Sequence, residues 1–228
     1  MPVCADKYRV RDYVTKKLGE GYLNELLDVY ERSEDVDFDA LPEKFVLKAN
    51  HGSGQNIICT DKSALNFAAT RRTLDSWLRM DFGERSGEWQ YLSIPRRIVA
   101  EKFIEEANTL KDYRFYCYDG VPRFVRVMFD RANKKTVTES LYTVDWKYFW
   151  GSLHFPVNEN RIPPPPKYKE MLEVAATLSE GFPFVRVDLY NPGEHILFGE
   201  MTFHPGNGVN PFDPPELDLT FGEPLKIG

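Results

Sequence analysis

Apolar residues recur at helical spacing in some stretches of this chain and at period two in others. Val10, Tyr13, Val14 and Leu18 predict a helix over 6–18, with Asp6 as its cap and Gly19 as its stop. A second amphipathic segment covers 22–31, and acidic residues 31–43 read as a surface connection ending at Pro42. Phe45 to Lys48 and Ile57 to Cys59 predict two strands around a glycine-containing loop. Residues 63–80 predict a helix with Ser63 as N-cap, and 81–95 read as a polar loop carrying Trp89 and Tyr91. In 96–106 the Ile98 to Ala100 run predicts a buried strand. Residues 112–131 predict a hairpin turning at Asp119-Gly120, because this dipeptide supplies the positive φ angles of a tight hairpin turn. The stretch 142–155 is dense in aromatic residues, with Trp146, Phe149 and Trp150 expected in the core, and Pro163 to Pro166 form a stiff extended connector. A helix is predicted over 167–180, with Gly181 beyond its end. A second hairpin follows over 184–203, turning at Asn191-Pro192-Gly193, and then a Gly/Pro-rich tail. Hairpins separated by helices, without strict strand–helix alternation, predict an α+β fold rather than a doubly wound parallel sheet.

Composition narrows the function. The chain has 228 residues and a formal net charge of −6, so it lacks the basic stripe of a nucleic-acid or anionic-membrane binder. Its three cysteines are widely spaced, which argues against a disulfide framework or a cysteine zinc site. The N-terminus is charged by residue 6, and no apolar run reaches membrane-spanning length. A cytoplasmic protein with no transmembrane segment is the expectation.

Three segments carry candidate chemistry. In His51-Gly52-Ser53-Gly54 the backbone N–H groups and the Ser53 hydroxyl can wrap phosphate oxygens, with Lys48 near by. Taken alone, the same turn suits a plain hairpin, and it is not a Walker loop. In the last hairpin Arg186 and Asp188 share one strand face, and Glu200 and Thr202 share a face of the returning strand. Two carboxylates on adjacent, otherwise apolar strands suit Mg²⁺, which binds one or two carboxylates together with substrate phosphates; alternatively they are solvated face residues. The third segment, Glu101 to Ile104, can offer backbone groups to a purine, but alone it is an ordinary strand with charged ends. The histidines show no metal spacing, and no nucleophile elbow or kinase signature is present.

"CADKYRVRDYV", "LPEKFVLKANHGSGQNII", "VAEKFI", "DYRF", "VRVD" and "GEMTFHPGNG" occur in this order. Together they resemble the ATP-grasp superfamily and, within it, the TupA-like group named for teichuronopeptide biosynthesis. The resemblance runs from residue 4 to about 226. It implies two α+β subdomains whose antiparallel sheets sandwich ATP: a small lid over about 42–106 and a larger one over about 107–228. The N-terminal domain common in such ligases is expected to be absent. Lys7 and Lys48 would contact the ATP phosphates, and Gly52, Ser53 and Gly54 would cover them. Glu101, Lys102, Phe103 and Ile104 would form the hinge on adenine, and Asp112 would take the ribose hydroxyls. Arg186 would face the transferred phosphoryl group, while Asp188 and Glu200 would hold Mg²⁺. Gly206, in His204-Pro205-Gly206, would lie at the reacting carboxylate. Thr202 stands where many ATP-grasp ligases have an asparagine metal ligand.

The implied activity is carboxylate–amine ligation through an acylphosphate, with ATP and Mg²⁺ as cofactors. The implied substrates are an amine and a carboxylate-bearing sugar or peptide, namely a uronic acid or glutamyl group of a cell-envelope or capsular polysaccharide. A partner subunit or oligomer is expected where the acceptor site needs completion. The rival readings are a glycosyltransferase of the same polysaccharides and a nucleotide-binding subunit without catalysis.

Overall fold

Period-two alternation of apolar residues builds two antiparallel sheets. The computed structural model describes residues 1–105, 110–130 and 135–226. The chain divides into two units: Met1–Tyr13 with Leu23–Glu105, and Val14–Tyr22 with Glu106–Gly228. Glu106 and Arg131, the last residues of two predicted segments, lie outside the described residues. Among the described residues, no helix is long and apolar enough to cross a membrane.

In the first unit, β1 (Leu26–Tyr30), β2 (Phe45–Ala49), β3 (Asn56–Cys59) and β4 (Ile98–Lys102) are ordered β1-β4-β2-β3, and every pairing is antiparallel. On β2, Phe45, Leu47 and Ala49 are buried, while Val46 and Lys48 alternate with them on the other face. The buried set packs with Ile98, Ala100, Val36, Phe38 and Leu41, and with Leu74 of α3 (Phe67–Arg79). Each such large side chain adds about 2 kcal/mol by leaving water. Two helices precede the sheet, α1 (Pro2–Ala5) and α2 (Val10–Leu18).

Local reading needs five corrections here. The amphipathic segment at 22–31 contributes a strand, β1, because its pairing with β4 completes the sheet edge. The predicted helix over 6–18 begins at Val10, although Asp6 does cap: its Oδ1 accepts from the Tyr8 and Arg9 N–H groups at 2.9 and 3.3 Å. The acidic segment 31–43 is more than a surface connection, since it sends Val36, Phe38 and Leu41 into the core. Asn66 rather than Ser63 caps α3, its Oδ1 accepting the Ala69 N–H at 2.9 Å; Ser63 belongs to a preceding 3₁₀ turn. The loop predicted at 81–95 contains α4 (Phe82–Ser86), capped by Asp81, and a 3₁₀ turn at Trp89–Tyr91.

In the second unit, β5 (Asp112–Tyr118), β6 (Val121–Phe129), β7 (Thr138–Thr143), β8 (Tyr148–Phe149), β9 (Phe184–Tyr190) and β10 (Leu197–Thr202) are ordered β10-β9-β5-β6-β7-β8. Both predicted hairpins form, and Asp119 and Gly120 turn the first with φ of 46° and 79°. One sheet face, with Phe115, Cys117, Val185 and Val187, packs beneath α5 (Tyr168–Ser179), whose Met171, Val174, Ala175 and Leu178 are buried. The other face divides in two. At one end Tyr116, Tyr118 and Leu141 pack with Leu217 and Phe221 of α6 (Glu216–Gly222), a helix within the Gly/Pro-rich tail. At the other end the face is charged. Of the aromatic stretch, Trp146 and Phe149 are half-buried, and Trp146 donates its Nε1–H to the Ile162 carbonyl at 2.8 Å. Trp150 departs from expectation, being 51% exposed.

Candidate active site

The first unit presents its candidate groups around β2 and the loop after it. Lys48 alternates out of the core, and its Nζ lies 2.6 Å from Oε2 of Glu101. The register pairs Val46 with Glu101, so Lys48 reaches diagonally across to β4. Arg11 Nη1 lies 3.9 Å from Glu101 Oε1. Burial alone would raise the Glu101 carboxyl, but the Lys48 and Arg11 charges outweigh it and hold the group below its usual value. Lys102 points away to an exposed pair with Glu25 at 2.9 Å, Phe103 is buried, and Ile104 is half-buried.

The loop has a rigid root and an exposed tip. Ser53 and Gly54 are exposed, while Gly52 is buried, and Lys7 Nζ donates to the Gly52 carbonyl. A Cβ on Gly52 would collide with Gln55 Oε1 and stand 3.0 Å from the Phe82 ring, so a larger residue there would have to displace both side chains. The root is Asn50, fully buried. Its Nδ2 donates to Asp6 Oδ1 and to the Pro95 carbonyl, each at 2.9 Å, and its Oδ1 accepts the Arg97 N–H at 2.7 Å. Its carbonyl accepts the Lys7 N–H at 3.2 Å. Next to it His51 is buried, with Nε2 3.0 Å from the Trp77 carbonyl, and burial holds its pKa below the ordinary histidine value. Neither Asp6 nor Asn50 was singled out from sequence as part of the site. The contact joins residues 44 positions apart, and no local pattern marks it.

The second unit concentrates charge at one end of a face of its sheet. Glu200 is the cross-strand partner of Asp188, and Thr202 that of Arg186, after a register shift between Phe198 and Glu200. Arg186 forks onto Asp188, with Nε to Oδ1 and Nη2 to Oδ2 both at 2.6 Å, and the same Nη2 lies 3.0 Å from Glu200 Oε1. Thr202 Oγ1 is 3.5 Å from that oxygen. Arg114 on β5 faces Asp188 in register, with Nε 3.5 Å from its Oδ2. Arg114 also donates through Nε and Nη2 to Asp112 Oδ2, at 3.0 and 2.9 Å. Asp112, expected at ribose hydroxyls, is thus buried against an arginine. Three carboxylates therefore face two guanidiniums, and all but Glu200 are buried. Burial pushes the Asp188 carboxyl up to about 6; Arg186 opposes that shift and the Asp112 carboxylate adds to it. The group is still ionised at neutral pH, as its two-pronged arginine bond requires.

Among the described residues no three His, Cys, Asp or Glu side chains gather as a metal site. The Asp188–Glu200 pair has the hard oxygen donors that suit Mg²⁺, and two carboxylates with substrate phosphates are the ordinary set for that ion. Gly206 lies in a 3₁₀ turn, Pro205–Gly208, where Gly206, Asn207 and Gly208 take φ of 60°, 57° and 70°. A Cβ on Gly206 would collide with Asn210, whose Nδ2 lies 3.4 Å from His154 Nδ1.

A model of the family described as TupA-like ATPgrasp matches residues 2–226. The chain belongs to the TupA-like ATP-grasp family. Among solved structures it is similar to D-alanine–D-alanine ligase from Bacillus anthracis complexed with ATP, with 15% identity, a TM-score of 0.52, and coverage of 88% of this chain and 53% of that one. It is also similar to D-cycloserine synthetase DcsG, with 15% identity, a TM-score of 0.49, and coverage of 98% and 67%. The first likeness shows the ATP-grasp fold, as expected from the motifs, and the chain spans about half the length of that ligase. No curated protein matches the chain. The α+β reading and the family resemblance both hold.

Proposed function

We propose that this TupA-like ATP-grasp chain is an ATP- and Mg²⁺-dependent ligase that joins a carboxylate to an amine. The substrate would be a uronic acid or glutamyl carboxylate of a cell-envelope or capsular polysaccharide. The observation that carries the reading is the Arg186–Asp188–Glu200 cluster: a guanidinium and two hard carboxylates on one face of an otherwise apolar hairpin. Charges are kept on such strands at a cost in desolvation, and chemistry on a phosphoryl group is the use that fits them.

In the first unit, Lys7 and Lys48 bind phosphate oxygens and Gly52, Ser53 and Gly54 cover them. The backbone from Glu101 to Ile104 meets the base. In the second unit, Asp188 and Glu200 would hold Mg²⁺ beside the Thr202 hydroxyl, and bound Mg²⁺ would neutralise charge on the phosphates. Arg186 orients the transferred phosphoryl group. Arg114 and Asp112 fix the position of Asp188. Gly206 and its turn lie at the reacting carboxylate. The substrate carboxylate attacks the γ-phosphate and ADP leaves; the amine then attacks the acylphosphate carbonyl and inorganic phosphate leaves. Positioning and charge compensation do this work without a protein nucleophile.

The test supplies ATP and Mg²⁺ with a panel of uronic acids and glutamyl compounds, and hydroxylamine as the amine. ADP and a hydroxamate are expected with at least one acid and are lost in Asp188→Asn. Turnover of a UDP-sugar without ATP would make the protein a glycosyltransferase. ATP binding with no ADP release for any acid would make it a non-catalytic subunit.

A further inference from the structure

Arg186 fills the position between the two carboxylates that a cation would need. Its fork engages both oxygens of Asp188 at 2.6 Å, and Nη2 also reaches Glu200 Oε1 at 3.0 Å. Asp188 is 0% and Arg186 5% exposed, so neither group can exchange its partner for bulk water where it stands. Arg114 is the weaker partner of Asp188, with Nε 3.5 Å from Oδ2, and gives its shorter bonds, at 3.0 and 2.9 Å, to Asp112 Oδ2. We infer that Arg186 is a built-in counter-ion for this carboxylate pair, so that the pair takes up a divalent cation only together with a polyphosphate that receives the displaced guanidinium. This rests on the nucleotide reading above.

The physical reason is partner exchange among buried charges. A bare dication drawn to Asp188 and Glu200 takes oxygens from Arg186, which is left beside like charge with no carboxylate of its own. A bare polyphosphate meets the opposite obstacle, since Arg186 can greet it only by exposing two carboxylates to the incoming anion. When cation and polyphosphate arrive as one complex, the carboxylates keep a positive partner. The guanidinium then gains phosphate oxygens, which its planar fork fits as well as it fits a carboxylate. Each half therefore raises the affinity of the other, and by linkage the two factors are equal.

Calorimetry on the full chain tests this with Mn²⁺ alone, a non-hydrolysable ATP analogue alone, and their preformed complex. The complex is expected to bind about tenfold or more tightly than either component, within the usual range of coupling between sites. In Arg186→Met, Mn²⁺ alone should bind about tenfold more tightly than in the unaltered chain, because nothing must be displaced. Arg186→Lys, which keeps the charge without the fork, should fall between. If the Met variant does not fold, the unaltered chain still decides the matter through its three titrations. Equal binding of Mn²⁺ with and without nucleotide would overturn the inference while leaving the nucleotide reading standing. No binding of the complex at all would overturn both.

Discussion

The two units hold their candidate charges in opposite ways. In the first, Lys48 and Glu101 form one ion pair whose lysine side chain is 29% exposed, and the loop tip at Ser53 and Gly54 lies in water. What is fixed there is the root, where buried Asn50 ties Asp6, Pro95 and Arg97 together. In the second unit the charges themselves are fixed: Arg114, Asp112, Arg186 and Asp188 are all buried, and the arginines each make two or more bonds. Exposed cations exchange partners cheaply, whereas buried ones exchange only when a new partner is supplied. The first arrangement suits groups that grip and release phosphate. The second suits groups that must hold one geometry.

The sharpest break in this contrast is Asp188→Ala. It takes the forked partner from buried Arg186 and leaves the guanidinium its bond to Glu200, and the second unit should lose about 3 kcal/mol in denaturant unfolding. A loss near zero would mean that the guanidinium reaches water without help. Next is Asn50→Ala, which removes the hydrogen bonds to Asp6, Pro95 and Arg97 at the loop root and should cost the first unit about 2 kcal/mol. Lys48→Met should cost about 1 kcal/mol in stability, since its pair is partly exposed, yet abolish measurable binding of an ATP analogue. Lys102→Ala marks the low end: both members of the Lys102–Glu25 pair are more than half exposed, so the melting temperature should not change measurably.

Acid separates the units further. His51 is buried and its pKa is lowered, so the unfolded chain takes up a proton near the ordinary value of about 6.5 while the folded first unit resists it. Stability from this group is present above that pH and falls as the pH drops through the lowered value. His51→Gln should flatten that part of the stability profile. An unchanged slope would assign the acid sensitivity to other groups.

Much of the scaffold could be read from local chemistry. Asp119-Gly120 and Asn191-Pro192-Gly193 mark both hairpins because few other residues accept such turns, and runs of aromatic and β-branched residues flank them. The segment at 22–31 misled because a short amphipathic run suits a helix or an edge strand, and only pairing with β4 decides between them. The register of Asp188 and Glu200 was out of reach for a similar reason. It depends on the irregularity at Gly199, where a Cβ would meet the Asp188 carbonyl at 3.0 Å. Arg114 was legible but passed over: Asp112 and Arg114 alternate on one face of an apolar strand, the same signal that marked Arg186 and Asp188. Asn50 left no trace in its neighbourhood, because its partners come from distant parts of the first unit.

The most direct test of the central claim is a thermal melt with a non-hydrolysable ATP analogue, with and without Mg²⁺. At analogue concentrations about a hundredfold above Kd, binding adds ~2.7 kcal/mol. A chain of this size should then melt roughly 5–10 °C higher. The account predicts that shift with Mg²⁺ and analogue together, and its loss in Lys48→Met. An unchanged melting temperature with both present, at any analogue concentration up to millimolar, would contradict it.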